Sequence, residues 1–168
     1  FFTRPPKFIP STATRPTAVP GNVGGIFALH SRYGILPWSE MVVVGEKLAR
    51  FGVPASRALL SELTPVEKAL RQDPTSNQIF RGLKGGSLKE GEIFFQPDLA
   101  NTLANIRVNG STDFYRGKLA ESLVKNVIGA GGALSKEDLR QFRPQWVEPI
   151  SMNYAKGMFN KNKAYFVP

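Results

Sequence analysis

Residue types that perform chemistry are few in this chain, and His30 is its one histidine. A Ser-His-acid triad would need that histidine as its base. His30 lies inside a predicted helix beside Leu29, where a hydrogen-bonded or exposed histidine without a chemical role is the commoner case. Cysteine is absent, which excludes thiol nucleophiles, disulfides, cysteine-type zinc sites and iron–sulfur ligation. We therefore assign no catalytic residue within this sequence.

Two short motifs have the spacing of known functional signatures. Ser122 and Lys125 match the S-x-x-K spacing of a serine nucleophile with a lysine base. The motifs that accompany that pair elsewhere are missing, so we interpret both as surface residues of a helix. Residues 20–25 are rich in glycine but lack the Lys-Ser/Thr of a P-loop and the dinucleotide spacing. They predict the tight start of a helix, where the glycines at 24 and 25 allow a second stretch of backbone to pack closely against it.

A metal site in this chain would have to consist mostly of carboxylates. The candidate pairs are Glu90 with Glu92 and Glu137 with Asp138. Their positions favour a simpler interpretation, as charges of a loop and of a helix start. We predict neither a metal site nor a cofactor.

The chain is basic, since 22 Lys and Arg residues outnumber 13 Asp and Glu residues and give a net charge of +9. The first acid is Glu40, and the positive excess is spread over both ends instead of forming a block. This dispersion favours a solvated basic surface over a nucleic-acid interface. The aromatic pairs at 94–95 and 114–115 could stack on bases, but aromatics beside an amphipathic helix are more often core residues.

Proline and glycine divide the chain into an arm, a helical region and a strand region. Residues 1–21 contain five prolines and are predicted to form an extended arm. Periodicity and capping residues predict helices over residues 23–32, 38–51, 56–63, 64–72, 97–109 and 118–130, with a short one capped by Ser135. We expect Ile26, Leu29 and Tyr33 to lie on one face of the first helix, and Leu99, Leu103 and Ile106 to face inward. We also expect a capping box from Thr64 to Glu67. Gly34 is expected to end the first helix in a left-handed conformation.

Strand patterns appear after the helices, at residues 146–147, 150–154 and 165–167, with turn-forming residues at 160–162. These strands need a sheet partner that the chain does not supply. The first residue is Phe1, and the last, Pro168, follows an apolar run. We therefore expect an α+β fold with residues 1–21 as a Pro-rich arm, 22–145 as a helical layer and 146–168 as a strand region, the whole being a fragment of one domain.

Seven sequence blocks resemble the large-chain region of γ-glutamyltransferases, also called γ-glutamyltranspeptidases. Residues 17–25 read T-A-V-P-G-N-V-G-G, and residues 27–38 read F-A-L-H-S-R-Y-G-I-L-P-W. The family patterns there are close to A-V-P-G-x-x-x-G and A-L-H-x-R-Y-G-x-L-P-W. Five further blocks follow in the family's order, at residues 47–56, 88–92, 96–100, 113–117 and 131–139. Together the blocks cover roughly residues 17–155.

The resemblance implies an N-terminal-nucleophile (Ntn) hydrolase with an αββα fold, made as a precursor that cuts itself into a large and a small chain. Residues 22–145 would then be a helical layer of the large chain, and residues 146–168 a terminal β-hairpin of the shared sheet. The nucleophile would be the first threonine of the small chain, with its own α-amino group as base. It would cleave γ-glutamyl amides such as glutathione through an acyl-enzyme. No threonine of this sequence takes that role.

Arg4 is the candidate substrate-binding residue. The family's motif reads approximately D-F-R-E-x-A-P, and residues 2–6, F-T-R-P-P, are the nearest match, without its Glu and Ala. The resemblance implies that Arg4 binds the α-carboxylate of the γ-glutamyl group, an acceptor that suits a guanidinium. A surface arginine in a Pro-rich arm is the alternative.

Two function classes remain open at this point. One is an enzyme that transfers γ-glutamyl groups to water or to amino acids, with the small chain as partner and no nucleic-acid ligand. The other is a non-catalytic interaction module that keeps the helical layer. A periplasmic or extracellular location is implied by the resemblance, because members of the family are usually exported.

Overall fold

The structure, a computed structural model, describes residues 17–82, 85–157 and 160–166. The helices are α1 (Asn22–Tyr33), α2 (Trp38–Phe51), α3 (Arg57–Leu63), α4 (Glu67–Gln72), α5 (Pro74–Phe80), α6 (Pro97–Asn109), α7 (Ser111–Arg116), α8 (Lys118–Gly129) and α9 (Lys136–Gln141). The strands are β1 (Val53–Pro54), β2 (Ile93–Phe94), β3 (Ile150–Gly157) and β4 (Asn160–Phe166). Within these ranges, no helix is both long and apolar enough to cross a lipid bilayer.

The strands form two antiparallel pairs. β1 and β2 make a short ribbon between α2 and α6, whereas β3 pairs with β4 from Ile150 opposite Phe166 to Gly157 opposite Asn160. The described chain is thus a helix-rich α+β structure. Residues 160–162, predicted as a turn, belong to β4, and residues 146–147, predicted as β-like, lie outside any strand.

The hydrophobic core consists of two clusters of buried residues. The first, the Tyr115 cluster, lies between α7, α8 and α9, and contains Tyr115, Ala120, Val124, Leu134 and Leu139. The second, the Phe94 cluster, lies beside β2 and contains Ala55, Leu88 and Phe94. Of the predicted core aromatics, Tyr115 and Phe94 are buried, whereas Phe95 is 46% exposed.

Helices α2 and α6 pack together beside these clusters. The Trp38 indole N–H donates to the Ile106 carbonyl over 2.9 Å, and α6 buries Ala100 and Ile106. Leu99, expected inward, is instead 40% exposed, because Ala100 occupies the buried position next to it.

Two local predictions were wrong because a nearby group competes for the same hydrogen bond or space. Thr64 does not cap a helix; its hydroxyl donates to the Leu60 carbonyl at 2.7 Å, and Thr64–Val66 forms a 3₁₀ turn before α4. Gly34 is not left-handed, since its φ is −67°. A Cβ on Gly34 would lie 2.5 Å from both the ring and the carbonyl oxygen of His30, so this position needs glycine for space.

The start of α1 depends on a tyrosine that is distant in sequence. Gly21, at the N-cap position, offers no side chain to the free amides of the first turn. Instead, the buried Tyr115 hydroxyl accepts from the Gly24 N–H at 3.0 Å and donates to the Pro20 carbonyl at 2.6 Å. The group that approaches Gly24 closely is thus an aromatic side chain, where a second backbone was expected. Burial raises the pKa of Tyr115, which keeps the phenol protonated and able to donate.

We expect Tyr115→Phe to lower the free energy of unfolding by about 1–3 kcal/mol, because it leaves two polar backbone groups unpaired in a buried place. Urea unfolding of the purified full-length protein, followed by circular dichroism, measures this change. Tyr33→Phe is the matched control, since it removes a hydroxyl from a ring that is 62% exposed. Equal losses in the two variants would contradict the capping role of Tyr115.

Candidate functional site

Arg4, the predicted substrate-binding residue, lies outside the described residues, so its role stays a prediction. No catalytic residue was predicted within the chain. Among the residues that the structure does describe, no three His, Asp or Glu side chains are grouped closely enough to hold a metal ion.

The sequence motifs that we set aside have structural roles or lie at the surface. Ser122 and Lys125 are both exposed on α8. Glu90 pairs with Arg57 at 3.2 Å. Asp138 and Ser135 form the reciprocal capping box of α9, as the sequence predicted for this helix start. None of these groups forms a nucleophile with an adjacent base.

His30 stabilises the corner between α1 and α2. Its Nε2 lies 2.8 Å from the carbonyl oxygen of Leu36, and its ring meets the Trp38 ring edge-on at 5.3 Å. Trp38 also meets Phe27 edge-on at 5.0 Å. The histidine is therefore a hydrogen-bonded structural residue, which agrees with the interpretation from the sequence.

Arg32 connects the end of α1 to Trp146. Its guanidinium lies over the Trp146 ring at 4.6 Å from the centroid, and Tyr33 meets the same ring edge-on. These cation–π and aromatic contacts join α1 to the segment that leads into β3. The block at residues 27–38 thus contains the α1 residues that contact Trp146.

A charged cluster joins α2 to α6. Arg107 donates to one carboxylate oxygen of Glu46 at 2.7 Å, and Arg50 approaches the other at 3.3 Å. The Glu46 side chain is only 13% exposed. The hydrogen bond from Arg107 is the main reason that the pKa of Glu46 lies below its ordinary value, while desolvation acts in the opposite direction.

The feature most suggestive of function is a set of exposed apolar side chains on α1, α2 and the turn between them. We call it the apolar face, and each of its members is at least half exposed: Ile26, Leu29, Tyr33, Ile35, Leu36, Met41, Val44, Leu48 and Phe51. Sequence periodicity correctly placed three of them together on one face of α1, and the structure leaves that face exposed. The apolar residues at 41, 44, 48 and 51 have the same helical spacing in α2, and no apolar face was predicted there.

Exposed apolar residues that recur at helical spacing along two consecutive helices indicate a surface that other residues cover. Scattered single residues would need no such explanation, but a stripe on each of two adjacent helices does. The candidate functional site in the described residues is therefore an interaction surface, with the charged cluster and the His30 corner holding its two helices in place.

Comparisons with known proteins agree on one family. The family model described as Gamma-glutamyltranspeptidase matches residues 4–163. Glutathione hydrolase proenzyme 1 of Schizosaccharomyces pombe is 38% identical over 138 residues, which cover 82% of this chain and 22% of that protein. The glutathione hydrolase proenzyme of Escherichia coli is 34% identical over 139 residues, which cover 82% of this chain and 24% of that protein.

The fold is similar to that of solved structures with the same description. The gamma-glutamyltranspeptidase of Helicobacter pylori superposes with a TM-score of 0.83 at 28% identity, over 95% of this chain and 45% of that chain. The chain thus spans about a quarter or less of the length of the two curated relatives, at 22% and 24%.

We expect Glu46→Gln to lower stability at neutral pH, because the amide loses the charge that Arg107 and Arg50 contact. A carboxyl whose pKa is lowered in the folded state adds stability above its unfolded pKa of about 4.3, and that stability is lost as the pH falls through the lower, folded value. The stability difference between the wild type and Glu46→Gln should therefore be largest near pH 7 and shrink below about pH 4.3.

Urea unfolding of the full-length protein between pH 7 and pH 3 measures this difference. Glu62→Gln, at an exposed position of α3, is the matched control and should show little effect at any pH. A Glu46→Gln deficit that is constant across the pH range would show that the charge on Glu46 does not link α2 to α6.

Proposed function

Because this chain belongs to the γ-glutamyltranspeptidase family, we propose that it is a segment of the large chain of an enzyme that cleaves γ-glutamyl amides of the glutathione class. The observation that carries the proposal is that the family match extends over residues 4–163 and coincides with close agreement in fold. The alternative, a non-catalytic interaction module, has no observation in its favour.

The proposed reaction proceeds in two steps on a threonine of the small chain. The threonine Oγ attacks the γ-carbonyl carbon, its proton passes to the threonine's own α-amino group, and the amide nitrogen leaves with a proton. An ester between the γ-glutamyl group and the threonine results. Water or the amino group of an amino acid then attacks this ester, which releases glutamate or a new γ-glutamyl compound and restores the threonine.

The proposed contribution of this chain to that reaction is substrate binding by Arg4. A guanidinium offers a planar pair of N–H donors that matches both oxygens of a carboxylate. Arg4 would hold the α-carboxylate of the γ-glutamyl group and so place the γ-carbonyl at the nucleophile. No cofactor enters this reaction.

The proposed partner of this chain is the small chain of the same precursor. An isolated two-stranded ribbon such as β3–β4 is at best marginally stable in water, so we propose that it joins a larger sheet to which the small chain contributes. The apolar face supports the same proposal, since buried apolar surface stabilises by roughly 25 cal/mol per Å². In this arrangement residues 22–145 form the helical layer and residues 146–168 belong to the shared sheet.

The family resemblance also leads us to propose a periplasmic or extracellular location. Cell fractionation followed by an immunoblot for the protein would test it. Recovery from the cytoplasm alone would rule it out.

We expect Arg4→Ala in the full-length protein to lower kcat/KM for a γ-glutamyl anilide by roughly 30- to 1000-fold. The estimate follows from the ~2–4 kcal/mol that is lost when a charged partner of a bound carboxylate is removed. Release of the aniline, followed by absorbance, measures the rate.

Lys7→Ala is the matched control, because it removes a positive charge from the same arm and should keep kcat/KM within about twofold. Activity in the wild type with no loss in Arg4→Ala would overturn the role of Arg4 and leave the enzyme proposal intact. Absence of anilide release by the wild type would overturn the enzyme proposal itself.

We expect Leu29→Asp to weaken the association of the large and small chains, because it would place a charge in a buried apolar contact. Co-purification of the two chains through a tag on one of them measures the association. Lys125→Asp introduces the same acid at an exposed polar position of α8 and should leave the association unchanged. If Leu29→Asp retained the small chain as well as the control does, the apolar face would not be the contact surface.

A further inference from the structure

A second surface feature is an open cleft of about 320 Å³ that is lined by residues of α1, α7 and the segment after α9. Its walls include the rings of Phe27, Tyr115 and Phe142, and its polar groups include the guanidinium-bearing side chains of Arg116 and Arg143. This volume is at the lower end of the range typical for sites of small ligands.

The aromatic wall is rigid. Tyr115 and Phe142 are stacked, with their centroids 5.2 Å apart and their planes 18° from parallel. The Tyr115 hydroxyl is already bonded to Pro20 and Gly24, so the ring offers only apolar surface to the cleft. The first-turn amide of Gly24 is used by the same contact. A ligand would therefore meet an apolar wall and the arginines, with no free helix-start amide at Gly24.

The charge of the cleft is entirely positive. Among the residues that line it there is no Asp or Glu, and neither arginine takes part in any ion pair found in the described part of the chain. Arg143 is held in position because its Nη1 donates to the carbonyls of Arg140 and Phe142, at 2.6 and 2.7 Å. Arg116 is exposed at the end of α7.

The polar rim has hydroxyl groups as well as charges. Ser111 and Thr112 both line the cleft, and each hydroxyl can donate to an anionic oxygen. Two cations beside a stacked pair of rings suit a carboxylate attached to an apolar body. The same two cations repel an ammonium group, so a free amino acid suits the cleft less well than an acid whose amino group is acylated.

We propose that this cleft binds a small carboxylic acid with an apolar side chain and no free ammonium group, of the size of an N-acylated aromatic amino acid. Arg116 and Arg143 bind the carboxylate, and the rings of Phe27 and Phe142 contact the apolar body. The proposal uses none of the residues assigned to the γ-glutamyl chemistry and does not depend on that chemistry.

Isothermal titration of the purified full-length protein with N-acetyl-phenylalanine tests this proposal. We expect the wild type to bind this ligand saturably. Arg116→Gln and Arg143→Gln should each bind it at least fivefold more weakly, because each variant loses one charge-assisted contact. Arg140→Gln is the matched control, since it removes an exposed cation from α9 outside the cleft and should bind as the wild type does.

Three further ligands separate the chemical requirements. N-acetyl-phenylalanine amide lacks the charge, phenylalanine adds an ammonium group, and inorganic phosphate lacks the apolar body; each should bind at least fivefold more weakly. The proposal is overturned if N-acetyl-phenylalanine does not bind saturably, if both arginine variants bind like Arg140→Gln, or if any of the three other ligands binds equally well. Matching circular dichroism spectra of the variants show that a loss of binding is not a loss of fold.

Discussion

The hydroxyl group of Tyr115 connects parts of the chain that no local interaction brings together. It accepts one hydrogen bond from the Gly24 N–H in the first turn of α1 and donates one to the carbonyl of Pro20, just before that helix. Its ring belongs to the core formed by α7, α8 and α9 and stacks on Phe142. Gly21 offers no side chain to the first turn of α1, so the Tyr115 hydroxyl bonds the Gly24 amide there, and Val19 and Val23 pack against the same cluster. The sequence blocks at residues 17–25 and 113–117 thus contact each other through this hydroxyl.

The same chain leaves a large part of its apolar surface uncovered. Its two buried clusters are small, and the exposed stripes on α1 and α2 have the spacing of core-facing helices. These facts fit a polypeptide whose full core includes residues contributed from elsewhere, as the length comparison with its relatives also indicates. Within the described residues no three His, Asp or Glu side chains are grouped to hold a metal ion, and the proposed nucleophile belongs to another chain.

Sequence reasoning succeeded where the determinants are local. The capping box at Ser135 and Asp138 and the helix that ends at Gly52 are set by residues within a few positions, and both are confirmed. It failed for two short helices with weak periodicity, since neither α5 nor α7 was predicted as a helix. It also could not find the contact between Tyr115 and Gly24, which are 91 residues apart, or the ring of His30 that excludes a side chain at Gly34. The family assignment succeeded because seven blocks in order carry more information than any single motif, whereas Arg4 stays a prediction.

We propose that this chain forms part of a precursor that generates its own threonine nucleophile. Intact-mass and N-terminal analysis of the purified full-length protein measures whether the precursor is cut. We expect two polypeptides, one containing this sequence and the other beginning with threonine. A single uncut polypeptide that is stable under conditions in which the protein is folded would contradict it.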